Sequence, residues 1–335
     1  MTWFKRLTGI DETSAKQVRS ELRIEGDHFV FPSGKRCAFG RLETPTLAEL
    51  RAKVDALKPT TGRLTLREVV DNVQSLHADP INANALFQVA SQFNLLEMSR
   101  PATTPERGVG IYEHDHTQGP ACAIAGGAGT IYRNYYAPVG NRIGQSADHQ
   151  IDCSSDLGIL LGNDNGKLWT MQNGYLFPTD TGLKSISQTL ASADETERDR
   201  YRQSLRIGLQ CRTAVTLPGA SHRVSQAYCS ALPVAYGRQP PSEWTEFAKL
   251  VLEAAYESTL CAAILNEVET GSNKLYLTLL GGGVFGNKDT WITDAIRRSI
   301  ERYQKHDIDV AIVSYGSFKP VVQQLVKSFR DSKRG

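Results

Sequence analysis

The stretch KLYLTLLGGGVFGNKDTWITDAIRRSIERYQKHDIDVAIVSYG, residues 274–316, decides the fold. An apolar run is followed by a glycine-rich turn, then by a segment with helical spacing, then by a second apolar run. The next segment, KPVVQQLVKSF, residues 319–329, again has helical spacing. This strand, helix, strand, helix order predicts an α/β protein whose parallel or mixed sheet is covered by helices.

The turn within this stretch matches the pattern GxGxxG, with glycines at Gly281, Gly282, Gly283 and Gly286. Backbone amides at a helix N-terminus favour a diphosphate. A dinucleotide-binding fold would place an acidic residue at the end of the next strand, which instead ends Val313-Ser314-Tyr315-Gly316. We therefore expect a phosphate-bearing ligand of another kind; the alternative is that the glycines serve only a tight turn.

The residues after the turn also exclude a P-loop. That motif needs Gly-Lys followed by Ser or Thr, whereas Asn287 and Lys288 are followed here by Asp289. The hydroxyl that would hold magnesium is missing.

The first 60 residues predict an N-terminal appendage, with a hairpin turning at Pro32-Ser33-Gly34 and a helix in LAELRAKVDAL. Residues 65–76 have helical apolar spacing, and ALFQVASQFN predicts a buried strand ending at Asn94. A long loop comes next, from about Leu95 to Gln118, and long ordered loops at strand ends are commonly functional.

Three longer patterns complete the chain. GPACAIAGGAGTIYRNYY suits one tightly packed helix that Thr117 could cap, and a charged helix is predicted from about Ser192 through SADETERDRYRQSLRIGLQCRTAV. HRVSQAYCSALPVAY alternates like a strand. The helix in EWTEFAKLVLEAAYESTLCAAILNEVET is expected to end at Gly271.

Composition excludes several classes of protein. The 335 residues carry 38 basic and 36 acidic side chains, a net charge of +2. That balance gives no field for attracting nucleic acid or an anionic membrane, so neither partner is expected. There is no apolar leader and no run of ~20 apolar residues, which makes the cytoplasm the expected location.

The six cysteines lack CxxC pairs, so the sequence indicates neither a zinc site nor a disulfide framework. We expect reduced, mostly buried thiols.

The glycine turn and the strand DVAIVSYG resemble the second phosphate loop and final strand of macrodomains, which bind ADP-ribose. The strand FQVASQFN, its long loop and the helix opening at Thr117-Gln118-Gly119 resemble the first, catalytic loop of that family. The chain is closest to divergent members, such as poly(ADP-ribose) glycohydrolases and the bacterial effector that removes ADP-ribose from arginine on ubiquitin. The first loop departs from the pattern, because its glycine triplet is replaced by YEHDHTQGPACA.

The resemblance implies a three-layer α/β/α fold with a mixed sheet in residues 61–335, interrupted by an insertion around 137–204. It also implies ligand contacts. Asn94 and Gln118 would orient the distal ribose, and the helix N-terminus at Gly119 would approach the ligand. The diphosphate would lie on Gly281, Gly282, Gly283, Val284, Phe285, Gly286 and Asn287.

Hydrolysis of a ribosyl bond requires a carboxylate near the anomeric carbon and an activated water. Asp115 and Glu113 are the first candidates, since two residues apart in an extended loop they would point the same way. Asp115 could equally cap the helix. The neighbouring His114 and His116 lack metal-ligand spacing, so no metal is expected.

A second set of carboxylates recurs at every fourth residue: Asp148, Asp152 and Asp156. On a helix all three would share one face and repel each other. A solvated face or loop is the favoured interpretation; the alternative is that Asp148 or Asp152 reaches the ribose or a cationic arginine of the substrate.

The sequence thus predicts a metal-independent ADP-ribosyl hydrolase, needing no cofactor, that acts on ADP-ribose attached to a macromolecule, with protein favoured. The first alternative is a non-catalytic module that only binds ADP-ribose. The second is a structural or partner-binding protein that retains the turn without a ligand.

Overall fold

The computed structural model describes residues 1–58 and 62–332. Within these residues the strands are β1 Arg23–Glu25, β2 His28–Val30, β3 Arg36–Ala38, β4 Arg41–Glu43, β5 Thr65–Val70, β6 Leu86–Ala90, β7 Pro138–Val139, β8 Arg142–Ile143, β9 Trp169–Gln172, β10 Tyr175–Pro178, β11 Gly208–Ala214, β12 Arg223–Cys229, β13 Lys274–Leu277 and β14 Asp309–Ser314. The helices are α1 Trp3–Thr8, α2 Ala15–Glu21, α3 Leu47–Asp55, α4 Val73–Ala78, α5 Gln118–Ala125, α6 Gly127–Tyr135, α7 Ser155–Leu161, α8 Asp180–Ser192, α9 Glu195–Ser204, α10 Pro241–Thr270, α11 Asp289–Arg302 and α12 Pro320–Asp331.

The main sheet has the order β4-β11-β12-β6-β13-β14-β5. Strands β12, β6, β13, β14 and β5 pair in parallel, and β11 and β4 pair antiparallel at one edge. The predicted mixed sheet is therefore confirmed. Three small antiparallel sheets, β1-β2-β3, β7-β8 and β9-β10, lie outside it in the described part of the chain.

Helices cover both faces of the sheet and complete the predicted three layers. Helix α10 packs on β12, β6 and β13, with α3, α8, α9 and α11 against it, while α5 packs on β6 and α6 on β11 from the other side. Most of α10 is buried, which explains why its sequence is apolar on nearly all sides. The core lies between this helix and the sheet.

The N-terminal residues form a second apolar cluster against α6, built from aromatic side chains that include Trp3, Phe4 and Phe29. From there the chain adds β4 to the edge of the main sheet. The N-terminal residues therefore share both a core and a sheet with the rest of the chain. The predicted boundary between residues 60 and 61 lies outside the described residues.

Several local predictions are confirmed. The hairpin at Pro32-Ser33-Gly34 is β2-β3, and α3 begins with a capping box between Thr46 and Glu49. Helix α10 ends at Gly271, whose φ of 77° is the left-handed conformation expected after a helix. No helix among the described residues is long and apolar enough to span a bilayer.

The helix predicted over residues 65–76 is wrong. Thr65–Val70 is the edge strand β5, and only Val73 onward is helical, in α4. Val69 and Val70 are half-buried on this edge strand. Apolar residues with this spacing suit either element when a strand is covered on both faces, so pairing with β14 decided the outcome.

Other boundaries also differ. The buried strand ends at Ala90, not Asn94, because the chain turns where Leu95 adopts a φ of 64°. The helix over GPACAIAGGAGTIYRNYY breaks at Gly126 into α5 and α6. The charged helix predicted from about Ser192 is only α9, and the rest of that segment is strand β11, since the apolar residues after Leu205 pair with β12.

The helical face proposed for the three aspartates is not formed. Asp148 lies in a tight turn closed by the bridge between Ser146 and His149, and Asp152 precedes α7, where its carboxylate accepts from the backbone of Ser154. Asp156 alone is helical and pairs with Arg206. The short side-chain-to-backbone bonds of Asp favour such turns over a helix interior.

Candidate active site

A cavity of about 960 Å³ lies beyond the carboxyl ends of the parallel strands. Its walls begin where the strands stop, at residues 71–74 after β5, 90–92 after β6 and 278–285 after β13. The volume is within the range of small-molecule sites, roughly 300–1,000 Å³. The cavity is therefore large enough for a nucleotide-sized ligand.

The strand order explains the position of the cavity. From β6 the chain goes on to β11 and β12 on one side, whereas β13 leads to β14 on the other. The connections leave the sheet in opposite directions at β6 and β13, so their loops diverge and leave a crevice. The glycine turn comes after one of these strands and the long loop after the other.

The glycine turn forms one wall. Gly281 has a φ of 72°, and a Cβ there would lie 2.5 Å from the Cβ of Ala231, so only glycine fits. Buried Asn287 closes the turn, since its amide N donates to Gly281 O at 3.0 Å and its side chain donates to Leu232 O at 2.8 Å. The Oδ1 atom of Asn287 is buried with no partner among the described residues, and the residue does not line the cavity.

The tip of the turn offers hydrogen-bond donors. Within residues 1–58 and 62–332, the backbone amides of Gly283, Val284 and Phe285 meet no acceptor. Helix α11 begins four residues after Phe285, and its N-cap Lys288 makes no side-chain cap. Unpaired amides beside a helix N-terminus suit an anion, although Asp289 in the first turn opposes one.

Aromatic rings lie beside the glycine turn. Phe285 is 5.5 Å from Tyr175 and 5.7 Å from Tyr236, measured between ring centroids. All three line the cavity, and together they offer a surface on which a planar base could stack. Burial raises the pKa of Tyr175, and the nearby Tyr236 and Asp115 raise it further, so this phenol stays protonated at neutral pH.

The long loop that leads into α5 carries both candidate carboxylates. Asp115 Oδ1 accepts from the amide of Thr117 at 2.9 Å and from its hydroxyl at 2.7 Å, so it fixes the start of α5. Glu113 Oε2 accepts from the amide of Trp3 at 2.8 Å and lies 3.4 Å from Arg6. Both carboxylates line the cavity, and each also has a structural contact.

Helix α5 approaches β6 closely. A Cβ on Gly119 would lie 2.1 Å from Ala90 O, so a glycine is required there. The side chain of Gln118 also joins α5 to β6: its Oε1 accepts from Ala90 N at 2.9 Å, and its Nε2 donates to Gln88 O at 2.8 Å. Gln118 and Gly119 line the cavity, but the amide group of Gln118 is already engaged by the strand.

The structure does not bring every candidate to the cavity. Asn94 is fully buried, donates to Gln150 at 2.9 Å and accepts from Leu96 N at 3.1 Å, so its side chain holds the loop together. Asp148 is exposed and pairs with Arg142. In addition to Asn287, four candidates are absent from the cavity wall: Asn94, Asp148, Asp152 and Gly286.

The cavity also contains a carboxylate that the sequence did not single out. Glu97 lines it from the loop after β6 and is only 2% exposed. Burial raises its pKa to about 8, although the nearby Arg133 and Tyr112 lower it. The only sequence signal is an isolated charge in the apolar run Leu95-Leu96-Glu97-Met98, which has no periodicity to interpret.

The N-terminal residues complete the wall around Glu113. Trp3 and Arg6 line the cavity, and the Trp3 indole donates to Val109 O at 2.9 Å. Glu12 accepts from the amides of Val109 and Gly110 at 2.8 and 2.7 Å. The loop that carries the candidate carboxylates is thus held by the N-terminal segment.

The thiols are not part of the site. All six cysteines are free, and five are buried, with Cys211 half-buried. The prediction that the thiols are mostly buried is confirmed. Within the described ranges no group of three or more His, Cys, Asp or Glu side chains could hold a metal ion.

Together, fold and cavity define a class: three-layer α/β proteins with a cavity beyond the carboxyl ends of the parallel strands. Among solved structures, the chain is similar to poly(ADP-ribose) glycohydrolase from Deinococcus radiodurans in complex with ADP-ribose, at 12% identity and a TM-score of 0.45, over 86% of this chain and 94% of that one. It is also similar to the enzyme from Thermomonospora curvata, at 14% identity and a TM-score of 0.41, over 94% and 97%. The same enzyme bound to the inhibitor ADP-HPD matches at 13% identity and 0.42, over 94% and 97%.

These structures belong to the group of glycohydrolases that the sequence resembles. No protein-family model and no curated protein matches the chain. At such identities and TM-scores the similarity transfers no residue role and no activity to this protein.

Proposed function

We propose that this protein is an ADP-ribosyl hydrolase that removes ADP-ribose from a modified macromolecule, with protein as the substrate class. The observation that supports it best is the convergence of three features in one cavity: unpaired amides in the glycine turn, an aromatic surface beside them, and two carboxylates from the loop that leads into α5. The amides suit the diphosphate of ADP-ribose, the aromatic surface suits its base, and the carboxylates suit its distal ribose.

The diphosphate would lie on the amides of Gly283, Val284 and Phe285, at the N-terminus of α11. The adenine would stack against Phe285 and its aromatic neighbours Tyr175 and Tyr236. The distal ribose would then lie at the N-terminus of α5, beside Asp115 and Glu113, which line the same cavity.

Asp115 is the proposed general base. One of its oxygens is occupied by Thr117, which leaves the second oxygen to accept a proton from water. The bond from the anomeric carbon to the leaving atom breaks with its electron pair moving to that atom, water oxygen bonds to the carbon, and the water proton passes to Asp115, which then gives it to the leaving atom. Glu113 supports this wall through Trp3 and Arg6.

A second candidate function is recognition of ADP-ribose without hydrolysis. The specific observation in its favour is that both carboxylates already have structural contacts, Glu113 with Trp3 and Arg6, and Asp115 with Thr117. The glycine turn and the aromatic surface would serve a binding module equally well.

Two assays separate these functions. Calorimetric titration with ADP-ribose tests binding, and release of ADP-ribose from arginine-, glutamate- and serine-linked substrates tests hydrolysis. Binding with release supports the hydrolase, whereas binding without release from any linkage supports the recognition module. Activity after treatment with a chelator tests the expectation that no metal is needed.

A further inference from the structure

Glu97 occupies the floor of the cavity, between β6 and α5. Its Cγ would lie 3.2 Å from a Cβ placed on Gly119, so the side chain packs against the first turn of α5. Its amide donates to the hydroxyl of Tyr112 at 3.1 Å, which fixes the backbone. The side chain is therefore held in place at the cavity wall.

The carboxyl group of Glu97 lacks hydrogen-bond partners. Within residues 1–58 and 62–332, neither Oε1 nor Oε2 makes a hydrogen bond, and the side chain is 1% exposed. The nearest cation is Arg133, whose Nη2 lies 3.7 Å from Oε1. The hydrogen bonds of that guanidinium go to other groups: Nε donates to Leu95 O and Nη2 to Thr130 Oγ1, the plane stacks 3.5 Å above Tyr228, and Nη1 has no partner among the described residues.

An unpaired, buried carboxylate is unfavourable, so such a group becomes neutral by holding its proton. The titratable or charged groups that face Glu97 are Arg133 from α6, Tyr112 from the long loop, Cys122 from α5 and Tyr228 from β12. Arg133 is the one cation among these groups. Burial outweighs its attraction and raises the pKa of Glu97 to about 8.

A neutral carboxyl group offers one O–H donor and one carbonyl acceptor. An alcohol also donates one hydrogen bond and accepts others, so the two groups are complementary. An anionic phosphate would use only the donor. The chemistry of this position therefore favours an uncharged polyol over the diphosphate.

We propose that Glu97 binds a sugar hydroxyl in the cavity as an un-ionised carboxylic acid, donating through its O–H and accepting through its carbonyl. The sugar is a ribose of ADP-ribose, so this inference rests on the proposed function. Glu97 is then a binding residue that the sequence did not reveal, and it gives the site a dependence on pH.

The test is the affinity for ADP-ribose between pH 7 and pH 9.5, measured by calorimetry on the full chain and on E97Q and E97A. In the native protein the dissociation constant should rise about tenfold per pH unit above pH 8, because only the protonated form binds. E97Q keeps a donor and an acceptor, so its affinity at pH 7 should be within about threefold of the native value and should not change with pH. E97A should lose at least tenfold at pH 7.

Two results would overturn the inference while leaving the proposed function intact: a native affinity that does not change up to pH 9.5, or the same pH dependence in E97Q as in the native chain. If E97Q does not fold, the native profile alone decides. Absence of ADP-ribose binding to the native chain at pH 7 would instead refute the proposed function.

Discussion

At the scale of single residues, the two candidate carboxylates are not equivalent. Asp115 has one oxygen bonded to Thr117, whereas the contacts of Glu113 are with Trp3 and Arg6. Removing a general base typically lowers a rate by roughly 10²–10⁴-fold. Substitution of Asp115 therefore tests the proposed catalysis more directly than substitution of Glu113.

D115N is expected to lower kcat for ADP-ribose release by at least about 100-fold while ADP-ribose still binds, because the amide keeps the shape but cannot take a proton. E113Q should have a smaller effect. The matched control is D148N, which changes an exposed aspartate away from the cavity and should leave kcat unchanged. A D115N protein with native kcat would show that another group is the base.

A negative charge introduced into the glycine turn tests whether an anion binds there. A Cβ on Gly283 would meet nothing within 4 Å, and its φ is not in the left-handed region, so the fold accepts a side chain there. G283D should weaken ADP-ribose binding by at least about tenfold through repulsion of the diphosphate, and G283N, with the same shape and no charge, should weaken it less. Equal losses in the two variants would mean that no anion lies at this turn.

Glu97 and Asn94 show why residue roles were hard to derive from sequence. Both lie in the irregular loop after β6, where Leu95 has a left-handed φ and side chains have no period. A sequence places such residues near the end of a strand but does not say which of them face the cavity. The structure places Glu97 at the cavity and Asn94 behind it.

At the scale of elements, one buried carboxylate joins three helices. Glu257 on α10 has no exposed side-chain surface and pairs with Arg51 of α3 and with Arg298 and Arg302 of α11, at 2.6, 2.6 and 3.0 Å. Burial alone would raise the pKa of Glu257, but the hydrogen bonds and charges of Arg51 and Arg298 outweigh it and lower the pKa. The group therefore holds its charge in the folded protein.

E257Q should destabilise the protein by about 3 kcal/mol, because it removes one of the two carboxylates that neutralise the buried Arg51. The control D294N removes an exposed pair with Arg297 and should change stability by less than about 1 kcal/mol. Urea unfolding of the two variants measures both. A loss in E257Q no larger than in D294N would contradict the role of the network.

The same network predicts a dependence on acid. Since the pKa of Glu257 is lower in the folded state than in the unfolded one, its contribution is present above about pH 4.3 and is lost as the pH falls through the lowered value. The free energy of unfolding should therefore decrease below about pH 5, and less so in E257Q. An equal decrease in both proteins would assign the acid sensitivity to other carboxylates.

The order of elements was largely predictable, because β13, α11, β14 and α12 have clear periods and α10 ends at a glycine. Strand β5 was not, since the spacing of Leu66, Val69 and Val70 fits a helix as well as a strand. Its pairing with β14 is a tertiary contact between residues more than 240 positions apart in sequence. Local pattern does not contain that information.

At the scale of the whole molecule, the N-terminal segment belongs to the site. Trp3 and Arg6 line the cavity, and Glu12 holds the loop that carries the carboxylates. The sequence predicted an appendage because its composition and hairpin differ from the rest. Its contribution to the cavity depends on contacts between residues as far apart in sequence as Trp3 and Glu113, which no local pattern reports.

Burial of the thiols leads to a prediction for the whole chain. Burial raises the pKa of Cys37, Cys211 and Cys229 to about 11 each, and that of Cys261 to about 12. Thiolate is the reactive form, so a disulfide reagent at pH 8 should react slowly with the native protein and rapidly with all six cysteines after unfolding. Rapid reaction of a cysteine in the native protein would contradict this prediction.

The central claim is that the cavity holds ADP-ribose on the glycine turn, and calorimetric titration of the native chain with ADP-ribose at pH 7 tests it most directly. We predict saturable binding of one ADP-ribose per chain, weakened at least about tenfold in G283D and less in G283N. Absence of binding by the native chain at millimolar ADP-ribose would contradict the claim.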